Sequence, residues 1–277
     1  MQLPAIRLMT RADVDRTADA MLAEGWGDRR VKMAFVADHP ECVPFIAEWD
    51  GAVVGTGVAT ISGAVGWIGT IWVDAAWRRR GLGRALTVAT MDAAEAAGCR
   101  TLVLVATTIG RPLYESLGFQ VQTWYRILEA RGLEGAESPG VRRYRAADLP
   151  AMGALDAAAT GEDRRHLLAA LAAPGTTLCV DRADGRLGGF VVRAPWGGGA
   201  TIASDPADAL AILRARRLAA GPARRVRAGL LAENEGGLGL LAGDGWVDAW
   251  QAPRLIRGPM PDWKPNAIWG QYDHALG

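Results

Sequence analysis

The sequence predicts a mixed α+β protein in which one structural outline occurs twice, and three observations carry that prediction. First, Trp67 to Val73 (WIGTIWV) is an apolar, β-branched and aromatic run. It leads through a basic turn into the helical pattern Arg84 to Ala97, closed by Gly98. Second, Asp50-Gly51 and Asp184-Gly185 each separate two apolar runs, a strong hairpin signal. Third, short matches recur in the same order on both sides of Glu129 to Gly140 (EARGLEGAESPG), a Gly-, Glu- and Ser-rich stretch without periodicity. This places a first domain at 1–130, a linker at 131–140 and a second domain at 141–277.

The strands and helices follow in order. Val43 to Trp49 and Ala52 to Ile61 flank the first Asp-Gly and read as a hairpin. Thr101 to Ala106 (TLVLVA) reads as a further buried strand, and Pro112 to Gly118 as a short helix with proline in its first turn and glycine at its cap. In the second half, Thr177 to Asp181 and Gly189 to Arg193 flank the other Asp-Gly. The repeat is visible residue by residue. Ile6-Arg7 matches Val141-Arg142, Ala12-Asp13-Val14 matches Ala147-Asp148-Leu149, and Leu113 through Gly118-Phe119 matches Leu240 through Gly245-Trp246.

Composition excludes several classes. The chain has 277 residues, half of them hydrophobic, without an apolar run of transmembrane length or a signal-peptide core at the start. A net charge of +1 argues against general nucleic-acid binding, and no membrane partner is expected. Cys42, Cys99 and Cys179 are odd in number and scattered, which suits reduced thiols in the cytoplasm. With His39, His166 and His274 also isolated, no metal site is expected.

The chemistry concentrates at Arg78-Arg79-Arg80-Gly81-Leu82-Gly83. A helix's first N–H groups lack internal partners and its dipole favours negative charge there. Gly81 and Gly83 let a phosphate approach those groups, and the arginines add charge. A dinucleotide fingerprint is excluded because the third glycine position holds Leu86. A P-loop is excluded because neither lysine, Lys32 or Lys264, follows such a loop.

Val73 through Leu86, with its R-x-x-G-x-G turn, resembles the acetyl-coenzyme A motif of the GNAT acyltransferase superfamily. Tyr114 within Leu113-Tyr114-Glu115-Ser116-Leu117-Gly118-Phe119 resembles that family's second cofactor element. The resemblance implies tandem GNAT folds, each a mixed, mostly antiparallel twisted sheet flanked by helices, with one pair of strands splayed apart. It implies acetyl-CoA as co-substrate, held by Ile71, Trp72, Val73, Arg78, Arg79, Arg80, Gly81, Leu82, Gly83, Arg84 and Thr107. Thr107 departs from the asparagine that the family often carries there. It further implies acetyl transfer to a primary amine, of a small molecule in preference to a peptide with the peptide acceptor left open, and Tyr114 protonating the departing thiol. A backbone N–H around Ile71 to Val73 is the expected donor to the thioester carbonyl. A homodimer is compatible with it. The competing class is an acyl-CoA sensor or scaffold without acceptor chemistry.

Asp38, Glu41, Glu48 and Asp74 are the carboxylates available as a general base, and Trp72 and Trp124 are candidate walls of an aromatic acceptor pocket. Pairing Gly118 with Gly245 sets Gly81 against Asp208, Gly83 against Leu210, Tyr114 against Leu241 and Thr107 against Asn234. On that register the second half has lost its phosphate cradle and its phenol. Leu155 to Leu168 and the ending Ile268 to Gly277 resemble the C-terminal domain of a group of tandem GNAT proteins.

Overall fold

In a computed structural model, residues 3–135, 138 and 140–277 are described. The first half runs β1 (Ala5–Leu8), α1 (Val14–Ala23), α2 (Arg30–Asp38), β2 (Cys42–Trp49), β3 (Ala52–Ser62), β4 (Val65–Val73), α3 (Leu82–Ala96), β5 (Thr101–Val105), α4 (Arg111–Glu115) and β6 (Gln120–Arg131). The second half runs β7 (Val141–Arg143), α5 (Leu149–Thr160), α6 (Arg165–Leu171), β8 (Thr177–Asp181), β9 (Leu187–Arg193), β10 (Gly199–Ala203), α7 (Pro206–Ala220), β11 (Arg225–Leu231), α8 (Glu235–Gly243) and β12 (Val247–Arg257). The order of strands and helices is the same, so the repeat read from short matches extends over both halves. One further strand, β13 (Ile268–Gly270), follows.

The last strands of the two halves are exchanged. The larger sheet has the order β1-β2-β3-β4-β5-β12-β6-β11, so β12 stands beside β5 and β6 stands beside β11. β6 and β12 also pair with each other, from Gln120↔Ile256 to Glu129↔Val247. One continuous sheet therefore joins the two halves, and their cores are shared. The smaller sheet has the order β13-β10-β9-β8-β7. Glu129, Ala130 and Arg131 belong to β6 and pair with Arg227, Val226 and Arg225, so the connection between halves begins only at Gly132. Residues 136, 137 and 139 of the expected linker lie outside the described residues.

Two departures from regular pairing shape the first half. β4 pairs with β5 in parallel only over Val65–Trp67 and Thr101–Val103, after which the strands diverge. β5 continues by pairing with β12 instead. Along its other edge, β4 carries a bulge: Thr56 pairs with Trp72 and Val58 with Gly69, so Thr70 and Ile71 together oppose one residue. Thr70 sits at φ 52°, and its carbonyl accepts the Thr56 hydroxyl at 2.7 Å. A β-branched residue in the left-handed region costs on the order of 1 kcal/mol or more, and such strain gathers at functional sites.

The two faces of this sheet are covered differently. α3 lies on one, where Gly66 and Gly57 leave room for Ala94 and Thr90. α1 and α2 lie on the other, where Met21, Met33, Val36 and Trp72 join one core with Tyr125, Tyr272 and Leu276.

Buried charge ties the halves together. Glu162 accepts the Trp67 indole N–H at 2.9 Å and lies 3.6 Å from Arg254. The Arg254 guanidinium is 2% exposed and is sandwiched between the rings of Trp67 and Trp263, 4.7 and 4.8 Å from their centroids. It also donates to Gln122 and to the Tyr125 hydroxyl. Arg164 pairs with Asp156 in the same buried region.

Candidate functional site

The diverging strands β4 and β5 open toward a turn whose backbone is set by Gly81. Gly81 caps α3 at φ 90° with open space around its missing side chain, so the conformation rather than packing demands glycine. The first intrahelical bond of α3 runs from Ala85 N–H to Gly81 O at 3.0 Å, leaving the N–H groups of Leu82, Gly83 and Arg84 at the helix entrance. At Gly83 a methyl group would meet only ordinary contacts, Val73 at 3.6 Å and Leu113 at 3.8 Å. Nothing in the protein's own packing requires a glycine there, which fits a role in admitting something else. Arg79, also at positive φ (60°), and Gly81 bracket Arg80, the guanidinium of which lies over the Trp77 ring.

The arginines divide into two groups. Arg78 turns back, donating to Val73 O at 2.9 Å and to Glu24 at 2.7 Å, and so braces the turn against α1. Arg84 donates to the Ser116 hydroxyl at 2.9 Å, linking α3 to the end of α4. Of the four arginines expected to contact an anion, Arg78 and Arg84 are thus engaged within the protein. Leu82 is core.

Tyr114 lies on α4, the helix whose Leu113 approaches Gly83. It packs edge-on against Phe119, and with Ile71 it adjoins the core beneath α3. Burial pushes its phenol up to about 12, so it holds its proton throughout the neutral range. Thr107 accepts the Gly110 N–H at 3.0 Å and thereby caps the turn into α4. Asn234 does the same for Gly237 at 3.0 Å before α8, so the two matched positions keep one structural job.

Three of the four candidate bases are engaged elsewhere. Glu48 accepts from both Arg7 and Arg16, and these cations hold its carboxyl below the usual range. Asp38 pairs with Arg11, and Asp74 caps the one-turn helix before the arginines through Ala76 N–H. Trp72 is buried in the core on the α1/α2 side, and its indole N–H has no partner among the described residues. Trp124 alternates with buried Tyr125 along β6, so it projects from the opposite face and does not share a pocket with Trp72.

In the second half the corresponding space is filled. The helix caps align Gly81 with Asp205, not Asp208, because α3 and α7 are both 15 residues long and start after these residues. The register set at Gly118 and Gly245 does hold for Tyr114 and Leu241, where Phe119 N–H bonds Tyr114 O as Trp246 N–H bonds Leu241 O. The Asp205 carboxylate accepts the Ala207 N–H at 2.9 Å, occupying the helix entrance with negative charge, and Pro206 removes another N–H. Asp208 is paired instead with Arg182. β13 lies along β10, and the buried Trp269 donates to Ala203 O at 3.0 Å. The plug is not visible from spacing, since it depends on which strand lies beside β10, whereas Asp205-Pro206 is a local helix-start signal.

Residues 11–119 match the acetyltransferase (GNAT) family model. No curated protein matches the chain. Among solved structures, a protein from Pyrococcus horikoshii assigned as an acetyltransferase superposes with a TM-score of 0.83 at 21% identity, over 100% of this chain and 97% of that one. A tandem GNAT protein from the clavulanic acid biosynthesis pathway gives 0.65 at 15% identity, over 92% and 99%. A GCN5-related N-acetyltransferase from Sphaerobacter thermophilus gives 0.62 at 17% identity, over 95% and 99%. These likenesses show the fold.

Proposed function

We propose that the chain transfers an acetyl group from acetyl-CoA to a primary amine in the first half, where residues 11–119 match the acetyltransferase (GNAT) family model. The observation that carries this reading is the divergence of β4 and β5 ahead of the glycine-capped entrance of α3. The α3 entrance at Gly81 to Gly83 suits a pyrophosphate, the diverging strands suit the pantetheine arm, and Ile71 of the bulge and Tyr114, which pack against one core cluster, suit the acyl end.

In this reading the amine nitrogen attacks the thioester carbon, and a C–N bond forms as the C–S bond breaks. Backbone around Ile71 to Val73 stabilises the oxyanion. Tyr114 gives its proton to the departing thiolate, whose own pKa is near ~8.5, and recovers it from solvent. The acceptor is a small amine, because α1, α2 and the segment 271–277 cover the face of the sheet from which it must approach. A cytoplasmic location accords with the three buried, unpaired cysteines.

Mass spectrometry of reactions with acetyl-CoA and a panel of primary amines tests the proposal. Acetylated amine together with free CoA is the expected result. Acetyl-CoA binding without turnover of any amine identifies a sensor instead.

A further inference from the structure

The segment 271–277 comes from the second half yet lies on the first half's sheet. It is a shaped loop: the Asp273 carboxylate accepts the N–H groups of Ala275 and Leu276 at 2.7 and 3.1 Å, and Tyr272 N–H bonds Gly277 O at 2.8 Å. Three contacts seat it. Lys32 of α2 pairs with Asp273 at 2.8 Å with both side chains largely enclosed, and Thr60 of β3 donates to Ala275 O at 3.0 Å. Ala275 also lies so close over Gly69 that a Cβ at that position would collide with it. Gly69 immediately precedes the bulge at Thr70–Ile71. The loop thus crosses β4 on the face opposite α3, at the residue where the strand begins to serve the opening.

This placement brings the His274 backbone against Gly69 of β4 and its ring over β6 and β12. Its ring stacks on Tyr125 of β6 (6.2 Å, 27°) and meets Trp250 of β12 edge-on (5.3 Å, 78°). Trp250 is 42% exposed, so the site communicates with solvent on that side. Among the described residues no hydrogen bond is made by either ring nitrogen of His274. Burial favours the neutral imidazole, opposed by Asp273 and assisted by Lys32. Those two groups and the Tyr125 phenol, itself bonded by Arg254, are the titratable or charged groups facing the ring. A neutral imidazole with an unused nitrogen, next to aromatic rings and open to solvent, is equipped to take a proton.

We propose that the loop 271–277 forms the acceptor wall of the first half's site, and that the His274 imidazole is the base that takes the proton from the attacking amine. This rests on the acyl-transfer reading above. As the C–N bond forms, one amine proton passes to the free ring nitrogen, and the imidazolium then releases it to solvent. The carboxylates Asp38, Glu48 and Asp74 are engaged elsewhere, so this assignment supplies a base that they do not. The second half contributes a working residue rather than only a scaffold.

The test follows thiol release from acetyl-CoA by the wild type, His274→Gln and His274→Ala between about pH 5 and about pH 9. The acceptor is the best amine of the panel, or water if no amine is turned over. The proposal expects an acid limb in the wild type and a loss of about 10²-fold with disappearance of that limb in His274→Gln. It also expects partial recovery of His274→Ala by added imidazole, which a purely structural role would not give. A parallel measurement needs no variant. With only three histidines in the chain, the imidazole resonances of the wild type are read with CoA and with acetyl-CoA. His274 should respond to the acetyl group while His39 and His166 do not. Normal rate and acid limb in His274→Gln, or an unresponsive His274 resonance, overturns the assignment while leaving acyl transfer in place. Failure of the wild type to bind acetyl-CoA removes the acyl-transfer reading itself, and the role of His274 with it.

Discussion

Arg142 holds Asp148 through two parallel hydrogen bonds of 2.7 and 2.9 Å, and Arg145 N–H donates to the same carboxylate at 2.7 Å. Arg7, Asp13 and Thr10 make the same arrangement at the start of the first half, with distances of 2.8 Å throughout. The fork fixes the first strand of each half against the one-turn helix that follows, a geometry that only an arginine–carboxylate pair supplies. Both halves therefore keep the fold's starting clasp. They differ at the helix entrances, Gly81 in one and Asp205 in the other, and the proposed single cofactor site rests on that difference.

Gly81→Asp should weaken acetyl-CoA binding by at least ~10-fold, measured by calorimetry, through charge at the helix entrance and strain at φ 90°. Circular dichroism should be unchanged, because nothing packs against that position. Unchanged affinity removes the turn from the site.

Tyr114→Phe should lower kcat by ~10²-fold while leaving the KM for acetyl-CoA nearly constant. The ring keeps its packing on Phe119 and loses only the hydroxyl. A wild-type rate reduces Tyr114 to a packing residue.

Arg254→Met should destabilise the chain by ~3 kcal/mol in denaturant unfolding, since Glu162 is left buried without its ion-pair partner. Adding Glu162→Leu should recover a large part of that loss. If the single variant is as stable as the wild type, the buried network does not hold the halves together.

Stability should fall as pH drops from about 6.5 toward about 4. Burial, with the neighbouring His39 ring 5.0 Å away, lowers His166 to about 4, and His39 is lowered as well. Both are neutral in the folded chain, so the unfolded chain binds their protons first and gains on acidification. The stability is complete above about 6.5 and is lost on the way down through the folded value. Glu41, Asp163, Ser62 and Arg164 are the other groups around the pair. His166→Gln should flatten this dependence in thermal melts across that range; an equally steep curve assigns it to other groups.

Local signals in the sequence were sufficient for the elements that position the site. The glycine-bearing turn, the Pro112–Gly118 helix and the Asp50-Gly51 hairpin each have a short-range physical cause, and each stands where its residues place it. The exchange of β6 and β12 had no such signal, because an apolar strand has the same pattern whichever neighbour it pairs with. The α7 register differs for another reason: a single offset carried back from Gly245 does not allow for length differences in between, and Asp205-Pro206 starts that helix three residues earlier than the offset implies. His274 was legible only as an isolated histidine, since its neighbours Tyr125 and Trp250 lie far from it in sequence.

The central claim is one acetyl-CoA site per chain, built on the first half's opening. Native mass spectrometry of the chain with excess acetyl-CoA tests it most directly. The account predicts a single bound equivalent in the wild type and its loss in Gly81→Asp, because Asp205 and the Trp269 plug close the second half. Two equivalents per chain, or one that survives Gly81→Asp undiminished, would contradict it.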